Sequence, residues 1–211
     1  MSTSASPSDG SSRRSRGHGW VWLTALVAVA AAGALVLAPR PRVPPPVLYP
    51  LPEFTFTRQD GQPFGSQQLR GRVWVANFIF TRCPTVCPAF TRKMAGIQHR
   101  TEKLGAAVHL VSFSVDPDYD TPEVLTAYAQ THRADLRSWS FLTGRQQAMQ
   151  QTVVSGFKQS MQQTGQRDDV NGGILHGTHF VLVDRDLQIR GFYSSNDDEA
   201  VARLLQDLET L

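Results

Sequence analysis

Apolar and polar positions along this chain fall into blocks whose period switches between two and about three and a half. Phe54-Thr55-Phe56-Thr57, followed by Asp60-Gly61 and Pro63-Phe64, reads as a small hairpin. Ser66 to Leu69 follows as a short turn of helix closed by Gly71. Val73 to Phe80 is the most apolar run outside the N-terminal region and reads as a buried strand that ends at Thr81-Arg82. A helical pattern begins near Pro88, with Phe90, Met94, Ile97, Thr101 and Leu104 on one face and a stop at Gly105. Ala107 to Val115 is apolar on both parities, as in a central strand covered on two faces. Thr121-Pro122-Glu123 opens a helix, Trp139 to Thr143 is a short strand, and Arg145 to Phe157 is a helix. Lys158 to Gly173 is polar and unpatterned, which predicts a surface loop. Ile174 to Asp184 reads as one strand and Leu187 to Tyr193 as its hairpin partner. A last helix, capped at Asn196 to Glu199, turns Val201, Leu204, Leu205, Leu208 and Leu211 inward. Strands alternating with helices and finished by a hairpin predict an α/β sandwich around a mixed central sheet.

The first fifty residues change the picture. Residues 1–19 are rich in Ser, Gly and Arg, a composition that cannot repay ordering entropy and predicts a disordered tail. Trp20 to Ala38 carries no charge over nineteen residues. At about 1.5 Å per residue it would span roughly 28 Å, close to a bilayer's hydrocarbon core. Arg13, Arg14 and Arg16 precede it, which orients the N-terminus to the cytoplasm and places the folded part on the extracytoplasmic side of an inner membrane. The small residues around Ala30 to Ala34 leave a cleaved signal peptide as the alternative; the length of the run favours a retained anchor. Residues 39–52, with Pro44-Pro45-Pro46 at their centre, predict a semi-rigid extended spacer before a domain at 53–211.

Charge removes one class of function. The formal charge of +3 is accounted for by Arg13, Arg14, Arg16 and Arg40 against Asp9, so the domain itself is neutral. A neutral domain has no electrostatic footprint for nucleic acid.

Candidate chemistry gathers at Phe80-Thr81-Arg82-Cys83-Pro84-Thr85-Val86-Cys87-Pro88, which holds both cysteines of the chain. They lie on a strand-to-helix turn, where unpaired N–H groups and the helix dipole favour a thiolate. If the turn is already helical, three intervening residues set the sulfurs about one helical turn apart, so that both can face one point. The thioredoxin-type redox motif has two intervening residues instead, and zinc sites draw four ligands from several Cys and His. Two sulfurs with one or two further donors suit copper, since thiolate is the soft ligand that Cu(I) selects. The alternatives are a structural disulfide or two packed thiols. On an oxidising side of a membrane such thiols must be kept reduced, be held by metal, or be oxidised.

Two of the six histidines, His176 and His179, lie by the strand expected to neighbour the cysteine turn. If that strand is regular, His176 shares the parity of Phe180 and Leu182 whereas His179 faces the other way, so only one points at a given site. His18, His99, His109 and His132 read as tail, helix-face, strand and helix residues. Asp116 and Asp120 follow the second central strand; they suit either a supporting shell around a metal ligand or turn and helix-start chemistry beside Pro117 and Pro122.

Three segments together, Phe80 to Pro88, Ser114 to Pro122 and Leu175 to Asp184, resemble the Sco/SenC family over about Glu53 to the C-terminus. That resemblance implies a thioredoxin-like fold tethered by one transmembrane helix. It implies copper, as Cu(I) or Cu(II), bound by Cys83, Cys87 and His176, with Asp116 and Asp120 as supporting residues. It further implies delivery of copper during assembly of the dinuclear copper site of cytochrome c oxidase, whose copper-site subunit would be the partner, alongside a thiol reductant and other copper chaperones. A rival activity is thiol–disulfide reduction of the acceptor's cysteines by the same Cys83 and Cys87. Thioredoxin-like redox enzymes carry a proline before the strand facing their cysteines, and none stands between Leu175 and Leu182.

Overall fold

Val73 to Ile79 is the strand from which the rest is laid out, because its seven side chains are all buried and alternate between two cores. The computed structural model describes residues 19–37, 42–83, 86–163 and 174–211. The expected N-terminal tail, Pro84, Thr85 and positions 164–173 of the expected loop lie outside the described residues.

In chain order the elements are α1 (Gly19–Leu37), β1 (Tyr49–Pro50), β2 (Thr55–Arg58), β3 (Pro63–Gly65), α2 (Ser66–Leu69), β4 (Val73–Ile79), α3 (Val86–Thr101), β5 (Val108–Ser114), α4 (Pro122–Thr131), β6 (Trp139–Thr143), α5 (Gln146–Gln151), β7 (Met161–Gln163), β8 (Ile174–His176), β9 (His179–Val183), β10 (Gln188–Ser194) and α6 (Asp198–Leu208). A 3-10 turn, Glu102–Ala107, follows α3, and a π-helical turn, Thr152–Gly156, follows α5. The chain divides into two units, Met1–Arg42 and Val43–Leu211. In the first, α1 is a 19-residue helix without a charged side chain. Several of its side chains fall outside the described set, and among the described residues no helix is long and apolar enough to cross a membrane.

The second unit is built on an eight-stranded sheet in the order β1-β10-β9-β4-β5-β6-β2-β3. β4, β5 and β6 are parallel, and the flanking strands are antiparallel, which is the mixed sheet expected from the pattern. On one face Trp74, Phe78, Phe113 and Phe157 form an aromatic core, with the Phe157 ring 5.0 to 6.0 Å from the other three. On the other, Val75, Ile79 and Leu110 pack with Phe90, Met94 and Ile97 of α3 and with Leu204 of α6. Ridges of apolar side chains on α3 and α6 therefore cover the sheet as the sequence periodicity requires. Leu104, expected on the inner face of the long helix, is instead 40% exposed, because the chain leaves α-helical geometry after Thr101.

The proline-dense stretch is partly built into the fold. β1 pairs with β10, Leu48 N–H donates to Ile189 O, and the Arg190 guanidinium donates to the Pro45 carbonyl while paired with Asp184 at 2.7 Å. The segment from Pro45 onward is thus laid along the sheet edge.

His109 of β5 is 4% exposed, stacks on Phe64 with ring centroids 5.6 Å apart, and lies 3.0 Å from Ser140 Oγ through Nε2. Among the described residues its Nδ1 has no hydrogen-bond partner. Burial, with Arg72 and Arg58 adding to it, pushes its pKa down to about 4. The unfolded chain protonates this ring near pH 6.5, so the folded state's advantage is present in full above that pH and is lost as pH falls towards 4. A shift of this size corresponds to about 3 kcal/mol. Urea unfolding of His109→Gln should show a pH 4 to 6.5 limb flattened by about that amount relative to the parent. An unchanged limb would assign the acid sensitivity to other groups.

Candidate metal centre

β4 delivers the cysteine turn to the carboxyl end of the parallel strands, where open α/β sheets place their sites. The turn is held from below: Val115 N–H donates to Ile79 O at 2.8 Å, and Cys83 N–H donates to Phe80 O at 3.3 Å. α3 begins at Val86, two residues earlier than the pattern indicated, so Cys87 is the second residue of the helix. Its N–H is one of the helix's orphan donors, and it is satisfied by Cys83 Sγ at 3.5 Å. The three-residue spacing thus folds the first sulfur over the helix start. Neither cysteine is in a disulfide, and they are 5% and 0% exposed.

The expectation of an easily ionised thiol is not met at Cys87. Its hydrogen bond with Cys83, then its burial, push its pKa well above the ordinary thiol value. A second negative sulfur beside the first, away from water, outweighs the helix terminus. In the metal-free state Cys87 is a thiol, and a cation that accepts both sulfurs would displace its proton.

Asp116 and Asp120 serve the cysteine turn from the β5–α4 loop. Asp120, fully buried, accepts Thr81 Oγ1–H at 2.6 Å, Thr81 N–H at 3.3 Å and Ser114 Oγ–H at 2.6 Å. Burial pushes its carboxyl pKa up against those hydrogen bonds, which act to lower it. Asp116 pairs with Arg82 Nε at 2.6 Å, and that guanidinium lies over the Tyr119 ring at 4.8 Å. Both carboxylates therefore clamp the two residues immediately before Cys83. Among the described residues, the two carboxylates pair with Thr81, Ser114 and Arg82. The helix-start reading also holds nearby, with Thr121 capping α4 and Pro122 at its first turn.

Thr81, Arg82 and Ser114 were given no role by sequence reasoning, although they stand in the quoted motifs; a short hydroxyl or guanidinium next to an Asp carries no periodic signal. Tyr128 is a further neighbour of the turn. Its hydroxyl is 2.7 Å from Thr91 Oγ1 of α3, burial holds its pKa above the ordinary phenol value, and the negative charge of Cys87 or Cys83 would add to that effect.

The segment carrying His176 differs from expectation. Ile174 to Asp184 is not one strand: β8 pairs with β7 in a separate two-stranded ladder, while β9 joins the main sheet between β10 and β4. Gly177 and Thr178 break it, so parity counted back from Phe180 does not transmit to position 176. The backbone of His176 lies opposite Met161. Since β9 runs antiparallel to β4 with Val181 opposite Ala76, the chain before His179 lies level with the end of β4 and hence at the cysteine pole. The His176 side chain lies outside the described residues.

His179 is exposed and paired with Ser194. His99 and His132 line a different cleft, with Arg72, Arg133 and Arg137. Among the described residues, no group of three or more His, Cys, Asp and Glu side chains is assembled to hold a metal. What is assembled is a pair of buried cysteines outside any disulfide, with Cys83 Sγ 3.5 Å from Cys87 N. That donor set fits a soft monovalent ion better than an oxygen-seeking one.

Residues 50–211 match the SCO1/SenC family model. The chain is 31% identical over 166 residues to the SCO1 protein homolog of Bacillus subtilis (strain 168), covering 78% of this chain and 84% of that one. Among solved structures it resembles BsSco, a member of the Sco family of cytochrome c oxidase assembly proteins in which a disulfide switch was identified. The TM-score there is 0.68 at 30% identity, covering 79% of this chain and 94% of that one. It also shares its fold with Bradyrhizobium japonicum ScoI, solved with copper bound, at TM-score 0.63 and 23% identity, covering 74% of this chain and 98% of that one. The mixed α/β sandwich is the thioredoxin-like fold of these structures. With the family model spanning most of the chain, this protein belongs to the SCO1/SenC family.

Proposed function

We propose that this protein is a membrane-anchored copper metallochaperone, which takes up copper through Cys83, Cys87 and His176 and hands it on during assembly of the dinuclear copper site of cytochrome c oxidase. The observation that carries this reading is the reduced pair at the helix start, with Cys83 Sγ at 3.5 Å from Cys87 N and both sulfurs buried. Copper here is cargo: two thiolates and one imidazole leave its shell incomplete, so an incoming thiol from an acceptor can replace one ligand at a time. Family membership supports the assembly role, and the copper-bound ScoI structure supports the metal.

The anchor belongs to the same reading. The run from Trp20 to Ala38, taken whole, has the length and composition of a single span, with arginines on its N-terminal side. The tail then lies in the cytoplasm and the domain on the extracytoplasmic side of the inner membrane, beside a membrane-embedded acceptor.

A second reading is favoured by the same sulfurs: Cys83 and Cys87 are close enough to close into a disulfide. Reduction of an acceptor's disulfide would pass two electrons and two protons from this dithiol and leave Cys83 and Cys87 bonded to each other. The disulfide switch identified in BsSco supports a redox reading of this chain's cysteines.

Copper titration of the reduced full chain tests the proposal. One equivalent of Cu(I) should be bound against a competing chelator, and both cysteines should become resistant to alkylation. Failure to take up stoichiometric copper would leave only the dithiol activity.

A further inference from the structure

We propose that the cleft at the opposite end of the sheet from the cysteines binds a compact soluble dianion, carrying phosphate or paired carboxylate groups, through the guanidiniums of Arg72 and Arg133. This site is independent of the copper reading.

The cleft lies where β4, β5 and β6 begin and where α3 and α4 end. The seven residues of β4 separate it from the cysteine turn by about 20 Å, at about 3.3 Å per residue. Its volume is about 770 Å³, within the range of small-ligand sites. Ala95, Val108 and Leu110 give it an apolar lining. Gln98 of α3 fixes one wall: its Nε2–H group donates to Asp135 O and to Ser138 Oγ, each at 2.8 Å, and its Oε1 accepts Asp135 N–H at 3.0 Å. A helix and the loop before β6 are thereby locked to each other across the cleft.

Two carboxylates and three guanidiniums line this space, and they do not cancel pairwise. Asp135 is taken by Arg137, with Nη2 at 2.7 Å, and Glu102 lies 3.7 Å from His99 Nδ1. Among the described residues Arg72 and Arg133 are in no ion pair. Each planar fork matches a carboxylate or phosphate bidentately, so two forks without carboxylate partners on one cavity select a ligand with two anionic groups.

Helix ends explain only part of this charge. His99 and His132 sit at the ends of α3 and α4, where a cation offsets the carbonyl end of the dipole. Arg72 is on neither helix. Arg133, just past α4, has φ of 54°, the left-handed backbone that helices usually give to glycine at this place. The fold therefore holds a guanidinium at the cleft against its own backbone preference.

Calorimetric titration of the copper-free full chain with inorganic pyrophosphate, in non-ionic detergent at neutral pH and low ionic strength, tests the site. One saturable site is expected. Arg72→Met and Arg133→Gly should each weaken it by about tenfold or more, the share of one charge-assisted hydrogen bond. Glycine adopts the left-handed backbone without strain, so Arg133→Gly should melt near the parent's temperature and separate lost binding from lost folding. Cu(I) uptake should be unchanged in both variants, and its loss together with pyrophosphate binding would overturn the assignment as a folding defect. A parent chain without saturable pyrophosphate binding, or variants that bind it as the parent does, would also overturn it. So would binding seen only on phosphatidylglycerol vesicles, which would make these arginines a membrane-facing patch and not a ligand cleft.

Discussion

Serine in place of either Cys83 or Cys87 should lower copper affinity by about a thousandfold, while the domain remains folded. Structural Zn²⁺ held by four thiolate and imidazole ligands is worth about 10 to 16 kcal/mol, and on that scale one ligand's share is about 2.5 to 4 kcal/mol, which is two to three decades in affinity. A serine hydroxyl does not make up that share, since it stays protonated at neutral pH and is a hard donor towards a soft ion. Thermal stability should change far less. Cys83 Sγ contributes one hydrogen bond to the start of α3, and a serine oxygen at that position can accept the same N–H. Competition with a chromophoric Cu(I) chelator reads the affinity, and far-ultraviolet circular dichroism reads the fold. Binding within tenfold of the parent in either variant would remove that sulfur from the site.

Much of this site was legible in the sequence, for reasons that can be named. Val73 to Phe80 announces a buried strand because a parallel strand covered on both faces needs apolar residues at every position, and β4 has them. The cysteines follow it directly, so their place at the carboxyl end of the sheet comes with the strand. Asp116 and Asp120 were legible as neighbours of the site but not as a clamp. Only the folded loop shows that one carboxylate takes Thr81 and the other Arg82.

The His176 segment was less legible, because parity is informative only along an unbroken strand. Gly177 and Thr178 interrupt Ile174 to Asp184, and the two halves enter different sheets. Met161 was hidden for a related reason. A three-residue strand leaves no periodicity in a stretch dominated by Gln, Gly and Asp, so the burial of Met161 has no signal in the sequence. The ionisation state of Cys87 was misjudged because the helix terminus was weighed without the sulfur beside it.

The second large effect concerns His176. Alanine at this position should cost about a hundredfold or more in copper affinity, in line with one ligand's share of a metal site. Thiol–disulfide exchange by Cys83 and Cys87 should persist, because that chemistry needs only the two sulfurs and an electron donor. The two activities proposed for this protein therefore separate at one residue. His179→Ala is the matched control: that residue is exposed on β9 and should change neither activity. A His176→Ala chain that keeps parental copper affinity would leave the sulfurs without their nitrogen partner. Loss of exchange together with copper would mean that residue 176 acts through the cysteine turn itself.

Convergence of a nitrogen from β8 with the sulfurs of the α3 turn is read most directly by pulsed electron paramagnetic resonance of the full chain loaded with one equivalent of Cu(II). The account predicts remote-nitrogen modulation from a single imidazole in the parent, its retention in His179→Ala, and its loss in His176→Ala. Modulation that survives in His176→Ala, or that disappears in His179→Ala, would contradict it.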